Sequence, residues 1–234
     1  MVELEHFFSD GRSEFLTFLA VLARNDHEKI PSLTQLQQQL GISVSSLREQ
    51  MEVARAMGLI EVKPRTGMKL LPYSFRPTIK QTLAYAVATD SRNFELFSDL
   101  RNHIEMAYWY QAVGTLTEED ILHMKNLILD AQKKLEDQPI QIPHYEHREL
   151  HLTIYRHLDN LFVSGILEAF WELYEEVGYN LYTDHDYLKR VWDYHQKIVD
   201  TIESRNYSLG YKLLVEHISM ISQRSKPKLP QIFE

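Results

Sequence analysis

Apolar residues near the start of the chain recur at helical spacing in three short stretches separated by polar breaks. The first stretch spans residues 13–23. The second follows Ser32, a residue type common at helix N-caps, and stops at Gly41, where a left-handed backbone costs glycine little. The third stops at Gly58. The core positions predicted for these helices are Phe15, Leu16, Phe18, Leu19, Val21, Leu22, Leu33, Leu36, Leu40, Leu47, Met51, Ala54 and Met57.

The pattern changes after the third helix, because residues 59–71 indicate a strand, a basic turn and a second strand. Two short helices joined by a glycine turn and followed by such a hairpin predict a winged helix-turn-helix. Lys63, Arg65 and Lys69 then lie on or beside the wing.

The rest of the chain is dominated by helical periodicity, and no strand alternation is present. Thr117 and Asp120 have the spacing of a capping box. We expect a mainly α protein: an N-terminal winged helix-turn-helix over 1–72, a linker over 73–78, an antiparallel all-α helical bundle over 79–228 and a tail over 229–234. Helices are predicted near residues 78–88, 92–113, 118–136, 141–158, 160–182, 184–204 and 207–222.

Composition and charge exclude several kinds of site and limit where DNA can bind. The absence of cysteine excludes disulfides and thiolate metal sites, and no apolar run is long enough for a membrane span, so we expect a cytoplasmic protein without a membrane partner. The net charge is −8, but residues 1–72 carry only −1 and residues 41–72 carry +2. A DNA-binding surface is therefore expected to be local to the winged helix.

Histidine placement is the main chemical signal of the predicted bundle. His147 and His151 are four apart, so one helix face presents both imidazoles, while His195 and His217 fall on two other predicted helices. Neutral imidazole binds zinc, nickel, copper and iron well. The competing interpretation is that each histidine is a surface or hydrogen-bonded core residue, as most histidines are.

The front of the chain resembles the DNA-binding domain of GntR-type transcription regulators. The residues that carry the resemblance are 32–36, 40–43, 47–49 and 58–60. The resemblance implies DNA contacts from the start of the recognition helix and from the wing. Val44 and Thr34 stand where members of the family commonly have basic residues, which affects the DNA sequence that is recognised. The DNA-contacting residues that the resemblance implies, together with the basic residue of the first wing strand, are Ser43, Ser45, Ser46, Arg48, Lys63, Arg65 and Gly67.

The later helices resemble the FCD effector domain of GntR regulators of the fatty-acid-regulator (FadR) type. The resemblance is carried by Arg101 and Glu105, by His151 with Asn160, and by two C-terminal histidines. It implies a divalent metal held by His151, His195, His217 and an aspartate four residues before the first histidine. This chain has His147 at that position, so either the site is all-imidazole or water or an effector carboxylate completes it. Zinc or nickel is then expected rather than magnesium or calcium.

A metal with an open position binds an oxygen of a small organic acid, and a guanidinium holds a carboxylate by two hydrogen bonds. Arg101 is the candidate for this effector contact, and a structural ion pair with Glu105 is the equal alternative. The aromatic residues of these helices are expected to be mostly core. They are Tyr108, Trp109, Tyr110, Phe170, Trp171, Tyr174, Tyr179 and Tyr182.

The function predicted from these features is a homodimeric transcription regulator that binds a double-stranded operator and senses a small carboxylate through a bound metal. A metal-dependent hydrolase, with Glu149 or Asp193 as general base, is the alternative. The chain lacks a His-Glu-x-x-His motif, a phosphate loop and a nucleophile elbow, so we do not expect an enzyme. A winged helix that contacts only protein is a third possibility.

Overall fold

The structure is a computed structural model, and it describes residues 13–25, 29–63, 67–176 and 185–222. Within these ranges the chain forms ten helices and one two-stranded sheet, and it divides into two compact units after Thr78. The elements are α1 (Glu14–Arg24), α2 (Leu33–Leu40), α3 (Val44–Ala56), β1 (Ile60–Lys63), β2 (Gly67–Leu70), α4 (Arg76–Thr89), α5 (Arg92–Val113), α6 (Glu118–Glu136), α7 (His144–Tyr155), α8 (Leu161–Glu176), α9 (His185–Glu203) and α10 (Tyr207–Ser222).

The first unit is a winged helix-turn-helix. Ser32 caps α2 in a reciprocal capping box with Gln35, and Gly41 ends the helix at φ 69°, where a side chain would be strained. The strands are antiparallel, with Ile60 opposite Leu70. The buried core of this unit consists of Phe15, Leu19, Ile30, Leu36, Leu47, Met51, Ala54 and Ile60. Its helical members were predicted from spacing alone.

The second unit is an all-α bundle, so the predicted fold class is confirmed. In its main core α6 packs on α7 and α9, while α10 packs on α5 and α9. A second cluster, Leu83, Phe94, Phe170, Trp171 and Leu173, joins α4, α5 and α8. None of the helices within the described ranges is both long and apolar enough to cross a membrane.

Several boundaries differ from the predicted ones for local reasons. Helix α4 begins at Arg76, inside the predicted linker, because Pro77 fits the first turn of a helix. Helix α7 begins only at His144, directly after Pro143. Helix α8 is described to Glu176, and residues 177–184 lie outside the described residues, as does the predicted tail.

Candidate metal centre and DNA-binding elements

Four histidines from three helices meet inside the bundle. Helix α7 supplies His147 and His151 from one face, α9 supplies His195, and α10 supplies His217. One ligand nitrogen from each ring can be chosen such that all four lie within 4.8 Å of one another. His151, His195 and His217 are buried, and His147 is half-buried. We call these four residues the histidine cluster.

The nitrogen atoms of the histidine cluster fit a metal ion. Nε2 of His147, Nε2 of His151 and Nδ1 of both His195 and His217 are buried without a hydrogen-bond partner among the described residues. The other ring nitrogens of His195 and His217, both Nε2, lie 3.2 Å apart, a distance at which the two rings share a hydrogen bond when no ion is bound. Two nitrogens that bind one tetrahedral zinc ion at about 2.0–2.1 Å are separated by about 3.3 Å. Because buried polar atoms normally have partners, this donor set is suited to a zinc-like ion.

Burial keeps His147, His195 and His217 neutral, which is the form that binds metal. It lowers the pKa of His147 and of His195 well below the usual value, and the neighbouring histidines lower both further. Burial, His151 and Arg101 together lower the pKa of His217 to about 3, although Glu105 acts in the opposite direction. At neutral pH the lone pairs of these rings are therefore available.

Glu105 on α5 orients the cluster. Its Oε1 lies 3.1 Å from Nδ1 of His151, which we assign as the donor, so that Nε2 of that ring is the free ligand atom. Burial raises the pKa of the Glu105 carboxyl, but the positive charge of Arg101 and the hydrogen bond with His151 outweigh it and the pKa is lowered. The sequence indicated Glu105 only as the partner of Arg101, and its contact with His151 depends on the packing of α5 against α7.

Arg101 makes the ion pair with Glu105 that was the equal alternative to an effector contact. Its Nη1 donates to Glu105 Oε2 over 2.8 Å and to Asn102 Oδ1 over 3.1 Å. Its Nε is buried without a partner among the described residues, and the guanidinium carbon lies 4.4 Å from the ring centre of Phe170. The pairing is therefore present, and it leaves one donor of the guanidinium unused.

Of the six described aromatic residues singled out from the sequence, five have the predicted core role, since Tyr108 and Tyr174 are half-buried and pack against core clusters. Trp109, Phe170 and Trp171 are buried. Tyr110 is an exception, because 52% of it is exposed beside Tyr211. Tyr179 and Tyr182 lie outside the described residues.

The serines predicted to contact DNA lie at the start of α3, the helix in the recognition position. Ser43 is its N-cap and accepts the backbone N–H of Ser46. The hydroxyl of Ser46 accepts a bond from Gln50 over 3.3 Å, whereas Ser45 is exposed. Two of the three serines therefore already have local bonds that shape the helix start.

The remaining candidates are basic or lie in the wing. Arg48 is exposed on α3. Lys63 is exposed at the end of β1, 2.9 Å from Glu61, and Gly67 opens β2 at φ 86°. Arg65 lies outside the described residues. Val44 and Thr34, the two departures from the family pattern, are both exposed.

Comparison with known proteins places the chain in a family. The FCD domain model matches residues 97–220, slightly more than half of the chain. The Uxu operon regulator of Haemophilus influenzae is 23% identical over 200 residues, which cover 83% of this chain and 72% of that protein. The transcriptional regulator LutR of Bacillus subtilis is 19% identical over 206 residues, which cover 83% of this chain and 90% of that protein.

A solved structure agrees at the level of the fold. A GntR protein of Streptococcus agalactiae superposes with a TM-score of 0.63 over 95% of this chain and all of that one, at 14% identity. The domain match covers most of the second unit, and the fold similarity extends over both units. The chain belongs to the FCD-domain family, as a transcription regulator of the GntR type.

Proposed function

We propose that this regulator binds a divalent transition metal, zinc or nickel, at its histidine cluster and senses a small organic acid there. The observation that carries the proposal is the convergence of four imidazoles, each with one buried ring nitrogen that has no hydrogen-bond partner among the described residues. A bound divalent ion supplies a Lewis-acidic centre for a carboxylate oxygen.

The charges around the cluster favour an anionic effector. Imidazoles that bind a metal ion are neutral and add no charge to it. Glu105 contacts His151, yet it also neutralises Arg101. The protein ligands therefore leave the charge of a bound divalent ion uncompensated. A buried, uncompensated charge is costly, and an anionic ligand stabilises the ion. A small carboxylate supplies that charge, and Arg101 lies close enough to the cluster to contribute to its binding.

The first unit binds an operator as part of a homodimer in this proposal. Ser43, Ser45, Ser46 and Arg48 form the contact end of α3, and Lys63, Arg65 and Gly67 form the wing contact. Arg48 offers a guanidinium for a base edge or a phosphate. An effector changes DNA binding only to the extent that its affinity differs between the two arrangements of the dimer.

A hydrolase is less well supported. Of the two candidate bases, Asp193 is exposed, and Glu149 contacts Arg148 over 3.1 Å. Neither belongs to the cluster of described residues that offers metal ligands. The site therefore has the groups to hold an ion and an acid, and neither candidate general base is part of it.

Two pairs of variants test the proposal. Elemental analysis of the purified protein is expected to give about one zinc or nickel ion per chain. His151→Ala should lose the metal, and His103→Ala, an exposed histidine of α5, should retain it.

Arg48→Ala should weaken operator binding at least about tenfold. Arg55→Ala is the control because Arg55 lies on the same helix but is paired with Glu52. A wild-type protein that contains no metal would contradict the proposed metal site. Unchanged operator affinity in Arg48→Ala would contradict the proposed DNA contact.

A further inference from the structure

Trp171 lies against the candidate site from a helix that supplies none of the four histidines. It is on α8 and only 1% exposed. Its ring centre is 4.7 Å from that of His147 and 5.0 Å from that of His151. The guanidinium carbon of Arg101 is 5.0 Å from the ring centre of Trp171. The indole therefore packs against both the arginine and two of the imidazoles.

The indole N–H has no acceptor. Nε1 of Trp171 is buried and lacks a hydrogen-bond partner among the described residues, and the same is true of Nε of Arg101. An indole nitrogen only donates, and so does a guanidinium. Glu105, the nearby carboxylate, is already occupied by Arg101 Nη1 and by His151. Two buried donors in this region thus have no acceptor among the described residues, and an anionic ligand at the cluster could supply one.

The contrast with Trp109 supports a specific role. The indole N–H of Trp109, which is also buried, donates to the carbonyl of Tyr207 over 2.9 Å. Buried tryptophans usually have such a partner. The unpaired donor of Trp171 is therefore a local feature of the site.

We propose that Trp171 donates its indole N–H to the carboxylate of the effector, beside Nε of Arg101, and so selects a carboxylate over an uncharged ligand of the same shape. This inference rests on the proposed function, because it requires the acid to bind at the histidine cluster. It adds a ligand contact from α8 to those from α5, α7, α9 and α10. A hydrogen bond to a charged acceptor is stronger than one to a neutral acceptor, which is the source of the selectivity.

Nuclear magnetic resonance of the zinc-loaded, full-length protein tests the contact directly. The chain has three tryptophans, so three indole N–H signals are expected after labelling with ¹⁵N. Acetate, the smallest carboxylate probe, should shift the Trp171 signal downfield and leave the Trp109 signal in place. Acetamide, which has a similar shape but no charge, should produce no shift at the same concentration.

Calorimetry with acetate provides the second measurement. Trp171→Phe keeps an aromatic ring but removes the donor, and acetate should bind about tenfold more weakly, as expected for one hydrogen bond to a charged group. Trp192→Phe is the matched control, because its ring centre lies 4.9 Å from that of His195, so it also packs against the cluster, but its indole nitrogen is not among the buried donors without a partner. Zinc content should be unchanged in both variants.

The outcomes separate this inference from the proposed function. Acetate binding with an unmoved Trp171 signal, or with equal affinity in Trp171→Phe, would refute the contact while leaving the sensor intact. A wild-type protein that holds no zinc or binds no acetate would overturn both. If Trp171→Phe does not fold, the signal of the wild-type protein decides alone.

Discussion

At the scale of single residues, Glu105 joins the two chemical parts of the site. One of its oxygens contacts His151 and the other accepts a bond from Arg101, all three side chains being buried. Carboxylates that hold a ligating imidazole raise its basicity and fix its orientation. Arg101 and the histidine cluster are therefore coupled through one carboxylate.

Replacing Glu105 by Gln should weaken zinc binding. The amide removes the negative charge that orients His151, and loss of such a partner typically lowers metal affinity about 10- to 100-fold. Competition with a chromophoric chelator measures the affinity, and circular dichroism monitors folding. Glu119→Gln, an exposed acid of α6, should bind zinc as the wild type does. Unchanged affinity in folded Glu105→Gln would show that the contact does not support the site.

Asp120 is a second residue with several partners. It accepts bonds from the backbone and hydroxyl of Thr117 at the start of α6, and from Arg156 and His157 after α7. Burial raises the pKa of the Asp120 carboxyl, but the bonds from Thr117, His157 and Arg156 outweigh it, and the pKa lies well below its usual value. The charged form therefore stabilises the fold.

Asp120→Asn should destabilise the protein by about 1–2 kcal/mol at pH 7, as expected for loss of a helix cap. Since the pKa is lower in the folded than in the unfolded state, the stabilisation is complete above the ordinary value of 3.8 and is lost as the pH falls below it. Urea unfolding at pH 7, 5, 4 and 3 should show the two proteins converging. Asp130→Asn, an exposed acid of the same helix, is the control. A difference that is independent of pH would contradict the role of the charge.

At the scale of elements, Gly210 permits the close approach of three helices. A Cβ atom at this position of α10 would lie 2.7 Å from the Thr201 hydroxyl on α9 and 2.7 Å from the Trp109 ring on α5. Trp109 has little freedom to move because its N–H is bonded to Tyr207. The same three helices carry His217, His195 and Glu105, so this contact helps to place the site.

Gly210→Ala should therefore destabilise the bundle by about 1–3 kcal/mol, the usual cost of overpacking. Helix propensity alone predicts the opposite sign, since alanine is favoured over glycine inside a helix. Thermal or urea unfolding measures the effect, and Ser208→Ala in the exposed first turn of α10 is the control. Stabilisation by Gly210→Ala would mean that the helices are not held at this distance.

At the scale of the whole molecule, the proposed function assigns DNA binding to the winged helix and effector sensing to the acidic bundle. Most of the net charge of −8 is carried after residue 72, so the attraction to DNA must come from the local +2 of residues 41–72. A surface of such modest charge gives limited affinity on its own. Two copies on one operator multiply it, which is the physical reason to propose a homodimer.

Operator binding should therefore depend on the spacing of two half-sites. In helix-turn-helix dimers the half-site centres lie about 34–36 Å apart, one turn of DNA. Inserting about 5 bp places the half-sites on opposite faces of the duplex and should reduce affinity at least about a hundredfold, whereas inserting a full turn should cost less. Gel-shift titration at fixed salt measures this. Equal binding to all three spacings would argue for independent monomers.

Local sequence was sufficient for much of the fold. Apolar spacing predicted the helices of both units, Gly41 and Gly58 marked real helix ends with positive φ, and Thr117 and Asp120 form the predicted capping box. These features depend on residues three or four apart, whose interactions are set by the geometry of one helix. The ends of α4 and α7 were less accurate, because the effect of a proline depends on its exact position in the turn.

The sequence determined on its own which residues have metal-binding chemistry and that His147 and His151 share a helix face. Helix spacing did not bring His195 and His217 to them: the family resemblance implied that, and the tertiary structure shows the four together. Only the tertiary structure decided that Glu105 contacts His151 and that the Trp171 indole is buried beside Arg101 without an acceptor among the described residues. Helical periodicity fixes the face of a residue within its own helix. It carries no information on which helices pack together, at what depth, or which polar atoms remain unpaired between them.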